Sequence, residues 1–449
     1  MIANCEPKSD CFRAAVFEHL FQGNEAIDEP KIIIQKNLNV YKQIVKKAAE
    51  NGANILVFPE DGIIDPDIYD RKIVATITEA IPNPKHGVYN PCDKPLDYKS
   101  SPITLTLSCL AKDNHIYVVA DYGDRIECNI TSDPKCPKDG HYMYNTAVAF
   151  DPNGAIVAKY HKTHLHLEFE YNTPSEAEFI YFDTPFGRIG LQICFDMLYK
   201  NPGTQDVAKY GVQTMCYPTD YSDGLPLETT KQYQLGWSLT NRVNLLAANI
   251  LRPETGAVGS GIYSGTNGPI VYTNITSKTA KLLIADIPVD SRNPSASCLK
   301  PDHRFNKSIS IDSLKTDAKY KTLRKSDLKH LTLNKLTANE SSSVVCDSGF
   351  CCHLNYSLKS SDGLKGQSFW FFVGNSSGHP YNDVNYEPQY PMCEEICGVF
   401  RCDDDRCESF PTSTSTVFKW LRLSATFSTN YTYPSLTTND LALVPKQYW

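Results

Sequence analysis

Three side chains of different chemistry stand in matching local settings. Cys194 closes the run Gly187 to Ile193, Glu60 follows Asn54-Ile-Leu-Val-Phe58 and Pro59, and Lys162 lies just past Ala155 to Tyr160. Each run reads as a short strand, so each group stands at or just beyond a strand's C-terminal end. In open α/β sheets, ligand sites form outside those ends. A thiol, a carboxylate and an ammonium gathered there could carry out acyl transfer at an amide. An amide is a poor electrophile, so the attacking group must be a thiolate. A carboxylate within hydrogen-bond reach can take the thiol proton and hand it to the leaving amine. The same carboxylate can later activate water against the thioester. An ammonium lowers the cost of the nearby thiolate and stabilises the oxyanion. The backbone N–H of Phe195, directly after the thiol, is a candidate second oxyanion donor.

Taken singly, each residue also has a plainer reading. Cys194 could be a core thiol or half of a disulfide. Glu60 could be a helix-start carboxylate, and Lys162 a solvated loop lysine. Only their convergence in space would separate the two readings.

The elements that would position them can be read from periodicity. Phe12-Arg-Ala-Ala-Val-Phe17 reads as a first strand. Lys31 to Asn51 has helical spacing, with Leu38, Tyr41, Val45 and Ala48 on one face, and Gly52 is a natural stop. A second helical stretch runs near Leu105 to Asp113, and His115 to Ala120 reads as a strand. Tyr144 to Phe150 and Ala155 to Tyr160 read as a hairpin around Asp151-Pro-Asn-Gly154. Gln213 to Cys216 and Leu245 to Ala248 are further strands flanking a helical stretch near Thr229 to Arg242. Strands mixed with crossover helices predict an α/β layered fold over residues 11–290. The character changes near Asp290. Residues 291–345 are polar and read as a connecting segment. Residues 346–449 are rich in cysteine and aromatic short-strand patterns, such as Trp370-Phe-Phe-Val373 and Val417 to Phe427, and predict a smaller, mostly β domain stapled by disulfides.

Composition limits the function classes. The chain has 449 residues and a net charge of −7, which argues against a general nucleic-acid binder. It contains 16 cysteines, of which Cys346, Cys351, Cys352, Cys393, Cys397, Cys402 and Cys407 fall in one stretch. Sequons occur at Asn129, Asn274, Asn306, Asn339, Asn355, Asn375 and Asn430. Many cysteines together with many glycosylation candidates point to an oxidising, extracellular location. Met1-Ile-Ala-Asn4 lacks the regions of a signal peptide, so a mature or trimmed chain is expected. Membrane association is expected only if an anchor has been trimmed away, since no apolar run reaches the ~20 residues of a spanning helix.

Val57-Phe-Pro-Glu-Asp61, Lys159-Tyr-His-Lys162 and Ile193-Cys-Phe-Asp196 resemble the three catalytic motifs of the nitrilase superfamily. More narrowly, the chain resembles the vanin and biotinidase branch. The supporting segments are Leu107-Ser-Cys-Leu-Ala-Lys112, Thr131-Ser-Asp-Pro-Lys-Cys136, Tyr144-Asn-Thr146, Tyr217-Pro-Thr219, Val243-Asn-Leu-Leu-Ala-Ala-Asn249, Gly259-Ser-Gly-Ile-Tyr263 and, near the C-terminus, Phe350-Cys-Cys-His-Leu354. The resemblance spans about residues 11–445. It implies an αββα sandwich, with Glu60 as base, Lys162 as oxyanion and thiolate partner, and Cys194 as nucleophile. It also implies a supporting glutamate after the lysine, with Glu168 as the candidate and Glu170 and Glu176 as rivals. No cofactor or metal is implied, and the partner is a small-molecule amide. The implied reaction is hydrolysis of pantetheine, with biotinyl amides as the alternative substrate and an inactive secreted binding protein as the alternative role. His161 before Lys162 fits the vanin side. Where vanins carry Ala-Trp-Met after Tyr-Pro-Thr, this chain has Asp220-Tyr-Ser-Asp-Gly224, a departure where substrate contacts are expected.

By the same resemblance, Cys92 pairs with Cys109 and Cys128 with Cys136. Setting Cys194 aside leaves an odd number of cysteines, and Cys216, in an apolar strand, is the candidate buried free thiol. Cys5 and Cys11 are a candidate pair in the N-terminal arm. Cys351-Cys352-His353 and Cys393 to Cys407 have irregular spacing, which favours disulfides over zinc. His161, His164 and His166 are read as a polar loop beside the site rather than a metal cluster. Gly259-Ser-Gly261 lacks the lysine of a phosphate loop, and Ser260 lacks a nucleophile-elbow setting.

Overall fold

The structure is a computed structural model that describes residues 9–24, 27–64, 70–225, 227, 229–321, 324–325, 328, 331–337, 340–360, 364, 368–376, 394–402, 418–437 and 442–443. Cys5, Asn339, Cys393 and Cys407 lie outside the described residues. In chain order the first half runs β1 (Cys11–Glu18), α1 (Pro30–Glu50), β2 (Ile55–Val57), α2 (Arg71–Ile77), α3 (Pro102–Asn114), β3 (Tyr117–Glu127), β4 (His141–Phe150) and β5 (Ile156–His161). It continues with β6 (Tyr181–Thr184), β7 (Gly187–Leu191), α4 (Gln205–Tyr210), β8 (Thr214–Thr219), β9 (Gly224–Leu225), α5 (Thr230–Asn241) and β10 (Asn244–Asn249). Then come β11 (Gly261–Ser264), β12 (Gly268–Tyr272), β13 (Thr279–Pro288), β14 (Asn306–Lys315), β15 (Arg324–Lys325) and β16 (Thr332–Lys335). The last strands are β17 (Glu340–Asp347), β18 (Phe350–Leu358), β19 (Ser368–Ser376), β20 (Glu394–Cys402) and β21 (Phe418–Ala425).

Two sheets form the first domain. One has the order β14-β13-β1-β2-β3-β4-β5 and the other β12-β11-β10-β8-β7-β6. Parallel neighbours need a crossover. Accordingly α1 joins β1 to β2, and α3 lies between β2 and β3. In the second sheet α4 joins β7 to β8, and α5 lies between β8 and β10. The inner faces pack on each other: Val16, Val57, Val119, Ala149 and Tyr160 of the first sheet share one core with Leu191, Cys216, Leu246 and Ile262 of the second. On the outer faces, Tyr41, Val45 and Leu107 of α1 and α3 cover the first sheet, and Leu235 and Trp237 of α5 cover the second. The result is the αββα sandwich.

Local sequence explains these elements. α1 buries Ile34, Leu38, Tyr41, Val45 and Ala48, a 3–4 residue spacing, and carries Pro30 in its first turn, where a missing N–H costs nothing. Each such fully buried aliphatic side chain contributes roughly 1.5–3 kcal/mol. Gly52 follows with φ 78°, a left-handed conformation that glycine adopts without strain. The hairpin at Asp151 to Gly154 is present, with β4 and β5 antiparallel. α3 begins at Pro102, earlier than its apolar spacing indicates, because buried Glu79 accepts the N–H groups of Ile103 (2.6 Å) and Thr104 (2.9 Å) at its start.

Residues 291–345 do more than connect. β14 pairs antiparallel with β13 and becomes the edge of the first sheet, while β16 and β17 belong to the C-terminal sheets. Polar alternation hid β14, since an edge strand leaves one face in water. The C-terminal domain packs β16-β19-β20 against β17-β18-β21 around Leu354, Tyr356, Phe371 and Val373.

Cys92–Cys109 and Cys128–Cys136 are disulfides, as are Cys346–Cys351 and Cys352–Cys397. The pairing of Cys5 with Cys11 is corrected: Cys11 bonds Cys298. β13 runs antiparallel to β1, with Cys11 opposite Pro288, so the chain just beyond β13 returns beside the start of β1. Cys194 and Cys216 are the free cysteines among the described residues, and both are buried.

Candidate active site

The sandwich brings four strand ends to one edge. Glu60 follows β2, Lys162 follows β5, Cys194 follows β7 and Asp220 follows β8. Two of these strands belong to each sheet, so the site forms across the seam between them. Cys194, Glu60 and Lys162 are 6%, 2% and 2% exposed.

Cys194 opens a short 3₁₀ turn, Cys194–Leu198, with φ 40°. A non-glycine residue in this left-handed region is strained, and such strain persists only where surrounding bonds hold it. Here Asp196 does so. Its carboxylate accepts the Ile193 N–H (3.1 Å), the Tyr160 hydroxyl (2.7 Å) and the His164 N–H (2.9 Å), and meets His164 Nδ1 at 2.9 Å. Tyr217 donates its hydroxyl to the Cys194 carbonyl (2.7 Å). Glu60, Lys162 and Thr219 are the polar groups near enough to act on the proton affinity of the thiol.

Lys162 Nζ lies 2.6 Å from Glu60 Oε1 and 2.5 Å from Glu168 Oε2. Asn145 Nδ2 donates to the same two carboxylates, at 2.9 Å and 2.5 Å. The second oxygen of Glu60 accepts the main-chain N–H of Asp220 at 2.9 Å. Glu60 is thereby fixed by three donors, beside the buried thiol.

Electrostatics set the resting protonation. Burial, then the negative charge of Glu60, push the Cys194 thiol well above its ordinary value, and Lys162 only partly offsets this. The buried ammonium therefore does not create a resting thiolate. Burial also raises Glu60; Lys162 opposes that rise, and Glu168 adds to it. For Lys162, burial alone would favour the neutral amine, but Glu168 and Glu60 outweigh it and hold the side chain as ammonium. Asp121, buried on β3, is pushed well up by burial and by Glu60. The arrangement is a thiol, a base of raised affinity for protons and a fixed cation. It can transfer a proton and stabilise an oxyanion.

Among the glutamates expected to support the lysine, Glu168 makes the contact. Glu170 is buried, and burial pushes it up to about 7, but it makes no ion pair with Lys162 among the described residues; its main-chain carbonyl accepts Arg71 (2.5 Å) instead. Glu176 is exposed. Phe195 directly follows the thiol, with its ring 4.8 Å from that of His166. The three histidines do not converge. His161 lies between Asp124 (2.9 Å) and Glu178 (3.0 Å), His164 meets Asp196, and His166 meets Phe195. Cys216 sits inside the sandwich opposite Leu191, away from any disulfide.

Reasoning from residue types did not single out Asn145 or the main-chain N–H of Asp220, although Asp220 opens the stretch expected to meet substrate. Asn145 carried one signal, a polar residue within a strand whose following residues are apolar. The Asp220 bond is made by main chain, which side-chain types do not reveal. Of the glycosylation candidates, Asn129, Asn306 and Asn430 are exposed, and Asn274, Asn355 and Asn375 are half-buried.

Residues 26–291 match the model of the carbon-nitrogen hydrolase family, and residues 320–449 match that of the vanin C-terminal domain. The chain is 33% identical to pantetheinase of Mus musculus over 453 residues, covering 98% of this chain and 84% of that protein. It is 29% identical to biotinidase of Takifugu rubripes over 457 residues, covering 99% and 86%. A solved amidase from Nesterenkonia sp. superposes with a TM-score of 0.45 at 21% identity, over 65% of this chain and 95% of that one.

Proposed function

The chain belongs to the carbon-nitrogen hydrolase family, in its vanin branch, and from that premise we propose that it hydrolyses pantetheine to pantothenate and cysteamine through a thioester on Cys194. The single observation that carries the reading is the Lys162 bridge: one ammonium within 2.6 Å of the buried Glu60 and the part-buried Glu168, with the Cys194 thiol near enough for Glu60 and Lys162 both to act on it.

Glu60 takes the Cys194 proton as the sulfur attacks the carbonyl carbon, so the thiolate exists only as the new C–S bond forms. The carbonyl electron pair moves to oxygen, where the Lys162 ammonium and the Phe195 N–H stabilise it. The oxyanion collapses, the C–N bond breaks, and Glu60 delivers its proton to the departing amine. Glu60 then removes a proton from water, which attacks the thioester; the C–S bond breaks and the proton returns to sulfur. Amide plus water gives carboxylic acid plus amine, with no cofactor or metal in the balance. Glu168 and Asn145 hold Lys162 and Glu60 in place. We read the protein as secreted. The disulfides and exposed sequons suit an oxidising compartment. No helix among the described residues is long and apolar enough to cross a membrane.

The test is turnover of pantetheine and of a biotinyl-lysine amide by the wild-type chain and by Cys194→Ala. Faster wild-type turnover of pantetheine, abolished in the variant, is expected. Faster turnover of the biotinyl amide would overturn the substrate, and amidase activity surviving in Cys194→Ala would overturn the mechanism.

A further inference from the structure

We propose that Asp220 is a specificity-determining residue of this site, whose unpartnered carboxylate oxygen receives a hydrogen-bond donor, a hydroxyl or an ammonium, carried by the substrate away from the scissile bond. The inference rests on the amide-hydrolase reading above. Asp220 adjoins the chemistry because its main-chain N–H donates to Glu60 at 2.9 Å. Any residue could supply that main-chain bond, so the position of Glu60 does not demand an aspartate. The side chain is 8% exposed, and its Oδ2 pairs with the guanidinium of Arg252, which is 21% exposed. Its Oδ1 is sealed from solvent and has no hydrogen-bond partner among the described residues.

A buried ion pair costs desolvation, and a buried carboxylate oxygen left without a donor costs more. The folded chain gains nothing from that oxygen by itself; a ligand that supplies a donor does. The pair is also built rather than incidental. Asn249 holds the backbone beyond Asp220, accepting the Tyr221 N–H and donating to the Tyr221 carbonyl, both at 3.1 Å. Arg252 is held through main-chain bonds to Ala257, at 2.7 Å and 3.1 Å. Two rigid backbones thus present one acceptor and one cation beside the base.

The experiment measures kcat/KM for pantetheine, for analogues lacking either pantoyl hydroxyl, and for an analogue with an ammonium in place of one. It is run on the wild-type chain, on Asp220→Asn and on the double variant Asp220→Ala/Arg252→Leu, which leaves no unpaired buried cation. Thermal unfolding verifies that each variant is folded. We expect wild type to disfavour one deoxy analogue by roughly tenfold or more, because a site built to bond a substrate hydroxyl rejects its absence. The double variant loses that preference, mainly through KM. If the ammonium analogue is the best substrate, the donor is a cation, and Asp220→Asn loses the preference as well. Wild type that hydrolyses pantetheine and all of the analogues equally well overturns the inference and leaves the pantetheine reading standing, as does discrimination retained in the double variant. Turnover of the ammonium analogue without pantetheine overturns the pantetheine reading and supports Asp220. Turnover of none overturns both.

Discussion

The Tyr433 hydroxyl donates to the main-chain carbonyl of Met197 at 3.1 Å, so a residue from the C-terminal segment bonds the same short turn that Cys194 opens. The approach is possible because residue 236 in α5 is glycine; a Cβ there would sit 2.5 Å from the Tyr433 Cβ. Neighbouring bonds keep the segment down. Gln232 meets Ser435 at 3.2 Å, Thr240 meets the Thr432 carbonyl, and Lys200 lies 5.6 Å from the Tyr431 ring centre. Tyr433→Phe removes one bond to the turn that Cys194 opens and, if that turn carries the proposed nucleophile, should lower kcat by roughly threefold to tenfold, a net hydrogen bond's worth, with KM and melting temperature little changed. Gly236→Ala should instead lower stability by about 1–3 kcal/mol through overpacking. Steady-state kinetics and thermal denaturation separate the two; an unchanged kcat in Tyr433→Phe would show that the strap does not position the turn.

Lys162 is expected to be needed for both folding and turnover. Lys162→Ala leaves the buried Glu60 and the part-buried Glu168 without a cation, which should cost about 3–5 kcal/mol, and turnover should be lost. The double variant Lys162→Met/Glu168→Gln should recover much of the stability and none of the activity. Recovery of turnover in the double variant would remove Lys162 from the chemistry.

The acid limb of the kcat/KM profile should lie above the range of an ordinary glutamate. In the proposed mechanism Glu60 must be ionised to accept the thiol proton, and burial raises its proton affinity. Activity is therefore present above that raised value and falls as pH drops through it. A limb at or below the usual glutamate value, read from the pH dependence of kcat/KM, would contradict the assignment. Glu60→Gln should cost roughly a hundredfold or more at every pH.

Stability has its own pH dependence through Glu79, which is buried where it receives the N-terminus of α3. Burial pushes its folded-state value up to about 7, although bonds from Thr104 and Ile103 oppose the rise. The folded value exceeds the unfolded one. The group's contribution is therefore fully present below pH ~4.5 and is lost as pH rises through about 7, a swing of about 3 kcal/mol. Glu79→Gln should flatten the unfolding free energy over that window in denaturant titrations. A variant with the same slope as wild type would assign the pH dependence elsewhere.

The amino-acid order by itself singled out Cys194, Glu60 and Lys162 as candidates, and determined the α/β layering and the change to a cysteine-rich β domain, because each is written in local periodicity or residue type. Leu38, Tyr41, Val45 and Ala48 declare α1 wherever the helix packs, and Asp151-Pro-Asn-Gly154 declares its hairpin. Tertiary structure alone decided what depends on distance across the chain. It seated Cys298 beside Cys11, made β14 the edge of the first sheet, chose Glu168 over Glu170 and Glu176, and brought the Asp220 N–H to Glu60. It also decided that Cys194 rests as a thiol, since proton affinity follows from burial and from neighbouring charge. Residue types along a chain do not contain either quantity; both arise only when two sheets close over the ends of their own strands.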